Sequence, residues 1–309
     1  MNIRDIAKLT GCSVSTVSRV LNKHPYVSPE KREKILNVIN EVNYIPNRTA
    51  RNLSYGKSLN IGVLLPQPNN DCADAIIKGV IKEASKVGYL VTILPTNFEK
   101  EQEQFYLEEL LAKNYDGLIV TSRVLPLDYF EEVAKQAPLV CCENTGTYDI
   151  SCVFTEREKS YLDLFSEAKK KQLWPIGLIL SRDEKRSPSM KTVLKAYVSV
   201  FGELDEAYLY RDAVTYEDGR LAATKFMTAS DQPKLILAND DTVAAGSYEV
   251  FREKQKAITI VGQGNELISK VLNFSTIDHS YKKIGQEAFK HLFQEGRKQI
   301  MLGSKFIER

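Results

Sequence analysis

The chain has 309 residues, 43% hydrophobic and 27% charged, with a net charge of +2, five cysteines that form no CxxC pair and three histidines. That length and balance suit a soluble protein of more than one domain, and they exclude a disordered chain, a disulfide scaffold and a Cys/His metal cluster. No apolar run approaches the ~18 residues of a membrane span, and Met1-Asn2-Ile3-Arg4-Asp5 lacks a signal-peptide core, so a cytoplasmic protein without metal or cofactor is expected.

The charge is unevenly spread. Residues 1–57 carry ten Lys/Arg against four acids, a balance of +6, whereas the remaining 252 residues stand at −4. A basic head on a mildly acidic body is the asymmetry expected when only the head meets a polyanion. Within that head, Asn2 can cap a helix with Ile3, Ile6, Ala7 and Leu9 on one face, stopped at Gly11. Ser13 can cap a second, with Val14, Val17, Val20 and Leu21 at helical spacing. Between those apolar positions lie Ser15, Thr16, Ser18, Arg19 and Asn22, whose polar groups have the reach to meet base edges or phosphates. The short connection through Gly11 suits a helix-turn-helix. Ser28-Pro29-Glu30 opens a third helix with Ile35, Leu36, Ile39 and Val42 inward. A three-helix bundle whose polar residues merely face water is the alternative, and the +6 balance argues against it.

These helices define an all-α head over residues 1–45. Residues 46–58 follow as a hinge helix and linker. Its helical part is about two turns long, too short to be stable alone in water. Ala50 and Leu53 share a face with Pro46, flanked by Arg48 and Arg51, which is equipment for wedging a minor-groove base step. Tyr55-Gly56-Lys57-Ser58 reads as plain linker.

From residue 59 to 309 the pattern becomes α/β. Ile61–Leu65, Tyr89–Leu94, Gly117–Thr121 and Leu139–Cys142 read as buried parallel strands, with helices over Ala73–Val87 and Glu101–Lys113. A second series has strands at Ile176–Leu180, Ala207–Tyr210, Leu235–Ala238 and Ile258–Val261, and helices near 190–200, 217–228 and 242–254. Two such series make two doubly wound lobes, whose ligands sit at the carboxyl ends of strands. That places candidates at Gln67–Asp71, Thr121–Arg123, Ser181–Arg186, Asn239–Thr242 and Gln263–Asn265.

Three runs carry a resemblance: Ile3-Arg4-Asp5-Ile6-Ala7, Ser13-Val14-Ser15-Thr16-Val17-Ser18-Arg19-Val20-Leu21-Asn22, and Tyr44-Ile45-Pro46-Asn47 with Ala50-Arg51 and Leu53. As a set they resemble the LacI/GalR family of transcriptional regulators, and a looser match runs to the C-terminus. The resemblance implies that Ser15, Thr16, Ser18, Arg19 and Asn22 contact the major groove, with Val14 and Ser15 at the positions that vary with operator sequence. It places Tyr26 at a phosphate, makes Asn47 and Ala50 part of the DNA-binding hinge, and makes Leu53 the wedge. A homodimer would insert both wedges at the centre of a palindromic operator. For the body it implies a periplasmic-binding-protein-like arrangement, with several crossings between lobes, an effector in the cleft, and a last helix (about Ile284–Gln294) returning to the first lobe.

In that frame Arg186 forks onto ligand hydroxyls or carboxylates, and Asn239, within Ala238-Asn239-Asp240, makes a polar contact. Alternatively, Arg186 pairs with Asp183 or Glu184, and Asp240 caps its helix. The departures are specific. Gly262-Gln263-Gly264 stands where the family has Gly-Phe-Asp, leaving Gln263 or Asn265 to substitute for the acid. Asn69-Asn70-Asp71-Cys72 replaces an aromatic turn, Ser189 a glycine, and Phe154-Thr155-Glu156-Arg157 a crossover acid. The expected effector residues are therefore Asp71, Arg123, Arg186, Asn239, Gln263 and Asn265. The expected effector is a sugar or sugar derivative. With a stacking ring and a carboxylate lost, two further readings stay open: an anionic effector drawn by Arg123, Arg182 and Arg186, or a cleft that has lost its ligand.

The expected function is a sequence-specific repressor whose operator affinity follows its effector. A solute-binding receptor or transport component of the same fold is the alternative, opposed by the basic head. An enzyme is not expected, because no nucleophile–base constellation or phosphate loop is present and the lone GxG at Gly262 reads as a turn. The chain shows no leucine-heptad tail, so a dimer is expected rather than a tetramer.

Overall fold

The computed structural model describes residues 1–22, 24–45, 56–67, 71–182 and 187–309, with Asp71 described by its backbone alone. They form two compact units, Met1–Leu59 and Asn60–Arg309.

The first unit holds α1 (Ile3–Thr10), α2 (Val14–Leu21) and α3 (Pro29–Glu41). Asn2 caps α1 in a reciprocal box with Asp5, and Gly11 closes it at φ +64°, a left-handed conformation that glycine adopts without penalty. Ser13 caps α2 by accepting from the Thr16 amide. Ile6, Ala7, Val17, Val20 and Ile35 are buried together. Two expected inward residues face out instead, Leu9 at 55% exposed and Leu36 at 42%, while Val14, 42% exposed, leaves the apolar spacing of α2 for its outer side beside Ser15. The inner stripe of α1 runs through Ile3, Ile6, Ala7 and Thr10, and that of α3 through Ile35, Val38, Ile39 and Val42. Leu9 and Leu36 each miss the i, i+3, i+4, i+7 spacing by one position. Thr10 is buried at no polar cost, because its hydroxyl donates to the Ile6 carbonyl at 2.8 Å.

The second unit has two lobes. In chain order it comprises β1 (Asn60–Leu65), α4 (Asp71–Lys86), β2 (Leu90–Pro95), α5 (Lys100–Leu111), β3 (Gly117–Val120), α6 (Leu127–Ala134), β4 (Leu139–Cys141) and β5 (Ser151–Glu156). Then come α7 (Glu158–Lys170), β6 (Ile176–Ile179), α8 (Pro188–Phe201), β7 (Leu209–Tyr210), α9 (Tyr216–Met227), β8 (Leu235–Leu237), α10 (Asp241–Glu253), β9 (Thr259–Gln263), α11 (Leu267–Leu272) and β10 (Ser275–Asp278). Finally α12 (Tyr281–His291), β11 (Gln299–Gly303) and β12 (Lys305–Ile307) close the chain. The first sheet runs β11-β5-β4-β3-β1-β2 and the second β12-β10-β9-β8-β6-β7. Only β12 is antiparallel to its neighbour.

Two expected strands differ. β2 is an edge strand with Leu90 54% and Ile93 39% exposed, since it pairs with β1 alone. The first half of 207–210 belongs to a 3-10 turn (Glu206–Tyr208), leaving a two-residue strand. In each lobe one helix pair meets backbone to backbone. A Cβ on Gly285 would lie 1.9 Å from the Ile76 carbonyl, and one on Gly246 2.0 Å from that of Tyr216. The first pair packs α12 onto α4, so the last helix does belong to the first lobe.

The chain passes between lobes after β5, after β10 and between β11 and β12. The crossings are tied side by side. Thr155 donates to the His279 carbonyl at 2.6 Å, and Ser304 hydrogen-bonds both the Ser160 hydroxyl and the Glu156 carbonyl.

Candidate DNA-reading face and ligand cleft

In the head, Val17 and Val20 seat α2 on the core, which turns Val14, Ser15 and Arg19 outward. The Ser13 hydroxyl lies 2.8 Å from both the Ser15 and Thr16 hydroxyls, and Asn22 donates to Ser18 at 3.4 Å. Arg19 is exposed, and its guanidinium makes no hydrogen bond or ion pair with a described residue. Tyr26 is 81% exposed, with its ring 5.6 Å from that of His24, and Arg32 holds the His24 carbonyl at 2.5 Å. The helix thus presents hydroxyls, an amide and a free guanidinium from one rigid element. The expected hinge residues Asn47, Ala50 and Leu53 lie outside the described residues.

Of the expected effector residues, those described are held by partners of their own. Arg123, at the end of β3, is engaged by Glu143 and by the Leu125 carbonyl at 2.8 Å. Its loop is pinned by Glu103, fully buried, which accepts from the Leu125 amide at 2.6 Å and from that of Val124. Burial raises the Glu103 pKa, and these amides oppose the rise. Asn265 donates to Asp278 at 3.1 Å and accepts from Arg309 at 2.6 Å. Gln263 is 3% exposed: it accepts from the Tyr161 hydroxyl at 2.7 Å, lies 2.8 Å from His279 Nε2, and donates to the Ala238 carbonyl at 2.8 Å. Asn239 donates to the Ala213 carbonyl at 3.0 Å, but its Oδ1 is buried without a partner among the described residues. Asp240 caps α10 through the Val243 amide at 2.7 Å. Arg186 and the Asp71 side chain lie outside the described residues.

Other residues gather where the chain crosses between the lobes. Arg157, at the first crossing, places its guanidinium 5.5 Å from the Tyr281 ring centroid, with Tyr161 and Cys72 facing the same group. Burial pushes the Cys72 thiol up to about 12, which keeps it un-ionised. Burial first, then Arg157, holds His279 well below the usual histidine range, so its ring is neutral at pH 7. Arg182, from the second lobe, lies 5.0 Å over Phe98 of the first, bridging the cleft mouth. A groove of 350 Å³ runs between α4 and the second lobe, lined by Ala75, Lys78, Thr242, Glu266, Leu267 and Ile268. None of the expected effector residues lines it. The sequence marks Arg157 only as a departure at the crossover and leaves His279 unmarked, because β5 and β10, whose ends carry them, are not among the expected strands. The available signal is Asp278-His279-Ser280-Tyr281 directly after the β-branched pair Thr276-Ile277.

Among the described residues, no group of His, Cys, Asp and Glu could hold a metal ion, and no helix is long and apolar enough to cross a membrane.

Residues 2–47 match the bacterial regulatory proteins of the lacI family, and residues 58–281 match the periplasmic binding proteins and sugar binding domain of the LacI family. Catabolite control protein B of Bacillus subtilis (strain 168) is 39% identical over 308 residues, covering all of this chain and 99% of the relative. The NTD biosynthesis operon regulator NtdR of the same organism is 31% identical over 327 residues, covering 99% of this chain and 98% of the relative. The fold is similar to that of the Lac repressor dimer bound to operator and the anti-inducer ONPF. That match has a TM-score of 0.85 at 22% identity, over 100% of this chain and 98% of that one.

Proposed function

The chain belongs to the LacI family of DNA-binding transcriptional regulators, and from that premise we propose that it is a cytoplasmic, homodimeric repressor released or engaged by a sugar-like effector. The observation that carries this reading is the exposed face of α2, with Ser15 and an unpaired Arg19 on a head of charge +6. Two such heads set α2 into successive major grooves, while Tyr26 meets phosphate. Asn47, Ala50 and Leu53 serve as the hinge contacts, with Leu53 the wedge that opens a central base step. Effector binding alters how the lobes sit against each other and so biases whether paired hinges form on DNA.

Within the cleft, Asn239 Oδ1 touches the ligand, and Arg186 and Asp71 serve as further ligand contacts. Arg123, Gln263 and Asn265, all engaged internally, position their surroundings. The protein performs no catalysis and uses no cofactor in this reading. The solute-receptor alternative gives no role to the regulatory-type head over residues 2–47.

Arg19→Ala tests the proposal. Specific operator binding should weaken by about 1–3 kcal/mol while binding to random duplex changes little, as for a base contact. Fluorescence anisotropy on both DNAs measures this. Equal losses on the two would make Arg19 a phosphate contact and remove the main support for sequence reading by α2.

A further inference from the structure

The two lobes are joined along one side. Their crossings follow β5 and β10 and link β11 to β12, and these strands stand at one edge of each sheet. Ser304 alone separates β11 from β12, so those two edges adjoin. Phe98 follows β2, the opposite edge of the first sheet, and Arg182 follows β6, one strand in from the opposite edge of the second. The Arg182 guanidinium lies 5.0 Å from the Phe98 ring centroid. This contact therefore spans the cleft on the side away from the crossings, where it has the longest lever on the angle between the lobes.

The backbone holds Phe98 there against its own preference. Asn97 and Phe98 are consecutive left-handed residues, at φ 52° and 61°, a conformation that penalises a bulky side chain. Main-chain hydrogen bonds keep the turn in place. The Thr96 amide donates to the Leu65 carbonyl at 2.9 Å, that of Asn97 to the Pro66 carbonyl at 2.7 Å and that of Glu99 to the Thr96 carbonyl at 2.8 Å. Thr96 is buried, yet Phe98 stays 40% exposed. The strain thus serves to deliver a ring to the cleft mouth rather than to fill a core.

Arg182 is matched to that ring. Burial lowers its pKa, and the charge of Glu143, from the first lobe, opposes the fall. Glu143 is itself engaged by Arg123, so it acts on Arg182 from a distance. A guanidinium partly stripped of water is drawn more strongly to an aromatic face than a fully hydrated one.

We propose that Arg182 and Phe98 form a latch across the cleft mouth that holds the two lobes in the arrangement of this structure. It goes beyond the proposed function and stands whether or not an effector acts on the chain. Closing and opening it need no covalent change, because opening only uncovers a ring and rehydrates a cation.

The test measures the distance between the lobes in the full chain by single-molecule fluorescence transfer. Ketone-bearing residues replace the exposed Glu108 of α5 and Lys191 of α8, which leaves the five cysteines unlabelled, and excess unlabelled chain dilutes the labelled one. A single compact population is expected for the wild-type latch. Arg182→Gln and Phe98→Leu should each raise the ratio of a longer-distance population to the compact one about tenfold, as loss of a desolvated cation–π pair requires. The double variant should match either single one, because both remove the same contact. Phe98→Trp, with the stronger ring face, should keep the population compact, and Arg182→Lys should lie between Arg182→Gln and the wild type. Should Phe98→Leu misfold its turn, Arg182→Gln and Arg182→Lys in the Phe98→Trp background carry the same test. Wild-type distances in a folded Arg182→Gln, or additive effects in the double variant, overturn the latch. An open mouth in Arg182→Gln with no change in a folded Phe98→Leu also overturns it, since Glu143 would then be the partner.

Discussion

Raising salt from 50 to 200 mM is expected to lower the affinity of the full chain for duplex DNA by about 10³-fold or more. The estimate follows from counterion release, in which ~6–10 neutralised phosphates produce a loss of about 10³–10⁵ over that range. Each head carries ten Lys/Arg against four acids, so three to five phosphate contacts per head, doubled in a dimer, reach that count. Lys8, Arg19, Lys31 and Lys34 are exposed on the head, and the body stands at −4, so the basic head supplies the term. A log–log plot of affinity against salt should be linear. A flat response would mean that the head's charge does not meet DNA.

Ile35→Ala is expected to abolish operator binding by unfolding the head. Ile35 is fully buried, joins α3 to α1 and α2, and shares its core with only four other buried side chains. Removing its side chain costs about 2–5 kcal/mol. A unit of 59 residues has a total stability of only about 3–9 kcal/mol at ordinary per-residue values. Among the described residues no second apolar cluster within the unit compensates, so much of its margin is lost. Circular dichroism should show a helical loss confined to an early transition, with the melting of residues 60–309 unmoved. Retention of wild-type operator affinity would show that the three-helix core is not what holds the reading face.

Much of this architecture was legible from the chain because its signals are local. Asn2, Gly11 and Ser13 bracket α1 and α2 through interactions within a few residues, and each does in the structure what its chemistry suggests. Apolar runs such as Ile61-Gly62-Val63-Leu64-Leu65 mark central parallel strands for the same reason. Less visible were segments whose burial is decided at long range. β11 and β12 are short and half-exposed, and they become strands only by pairing with β5 and β10, more than a hundred residues and about thirty residues earlier in sequence. β2 looks as apolar as a central strand, yet it lies at an edge.

The cleft shows the same division more sharply. Position after a strand pointed to Arg123, Gln263 and Asn265, but their partners Glu143, Tyr161 and Arg309 lie 20, 102 and 44 residues away. Strand-end position finds polar residues near a cleft and cannot tell whether a distant side chain already satisfies them. Arg157 is the converse. It was visible only as a departure at the crossover, and its meaning comes from the neutral groups that surround it.

The α2 face is the element that reads sequence in the proposed function. The direct measurement is selection of duplexes from a random pool by the full chain at ~150 mM salt, followed by affinities for the enriched and scrambled DNAs. Enrichment of a palindrome with a central flexible step is expected, bound at least about 10³-fold tighter than scrambled duplex. Recovery of no common sequence, with all duplexes bound alike, would contradict it.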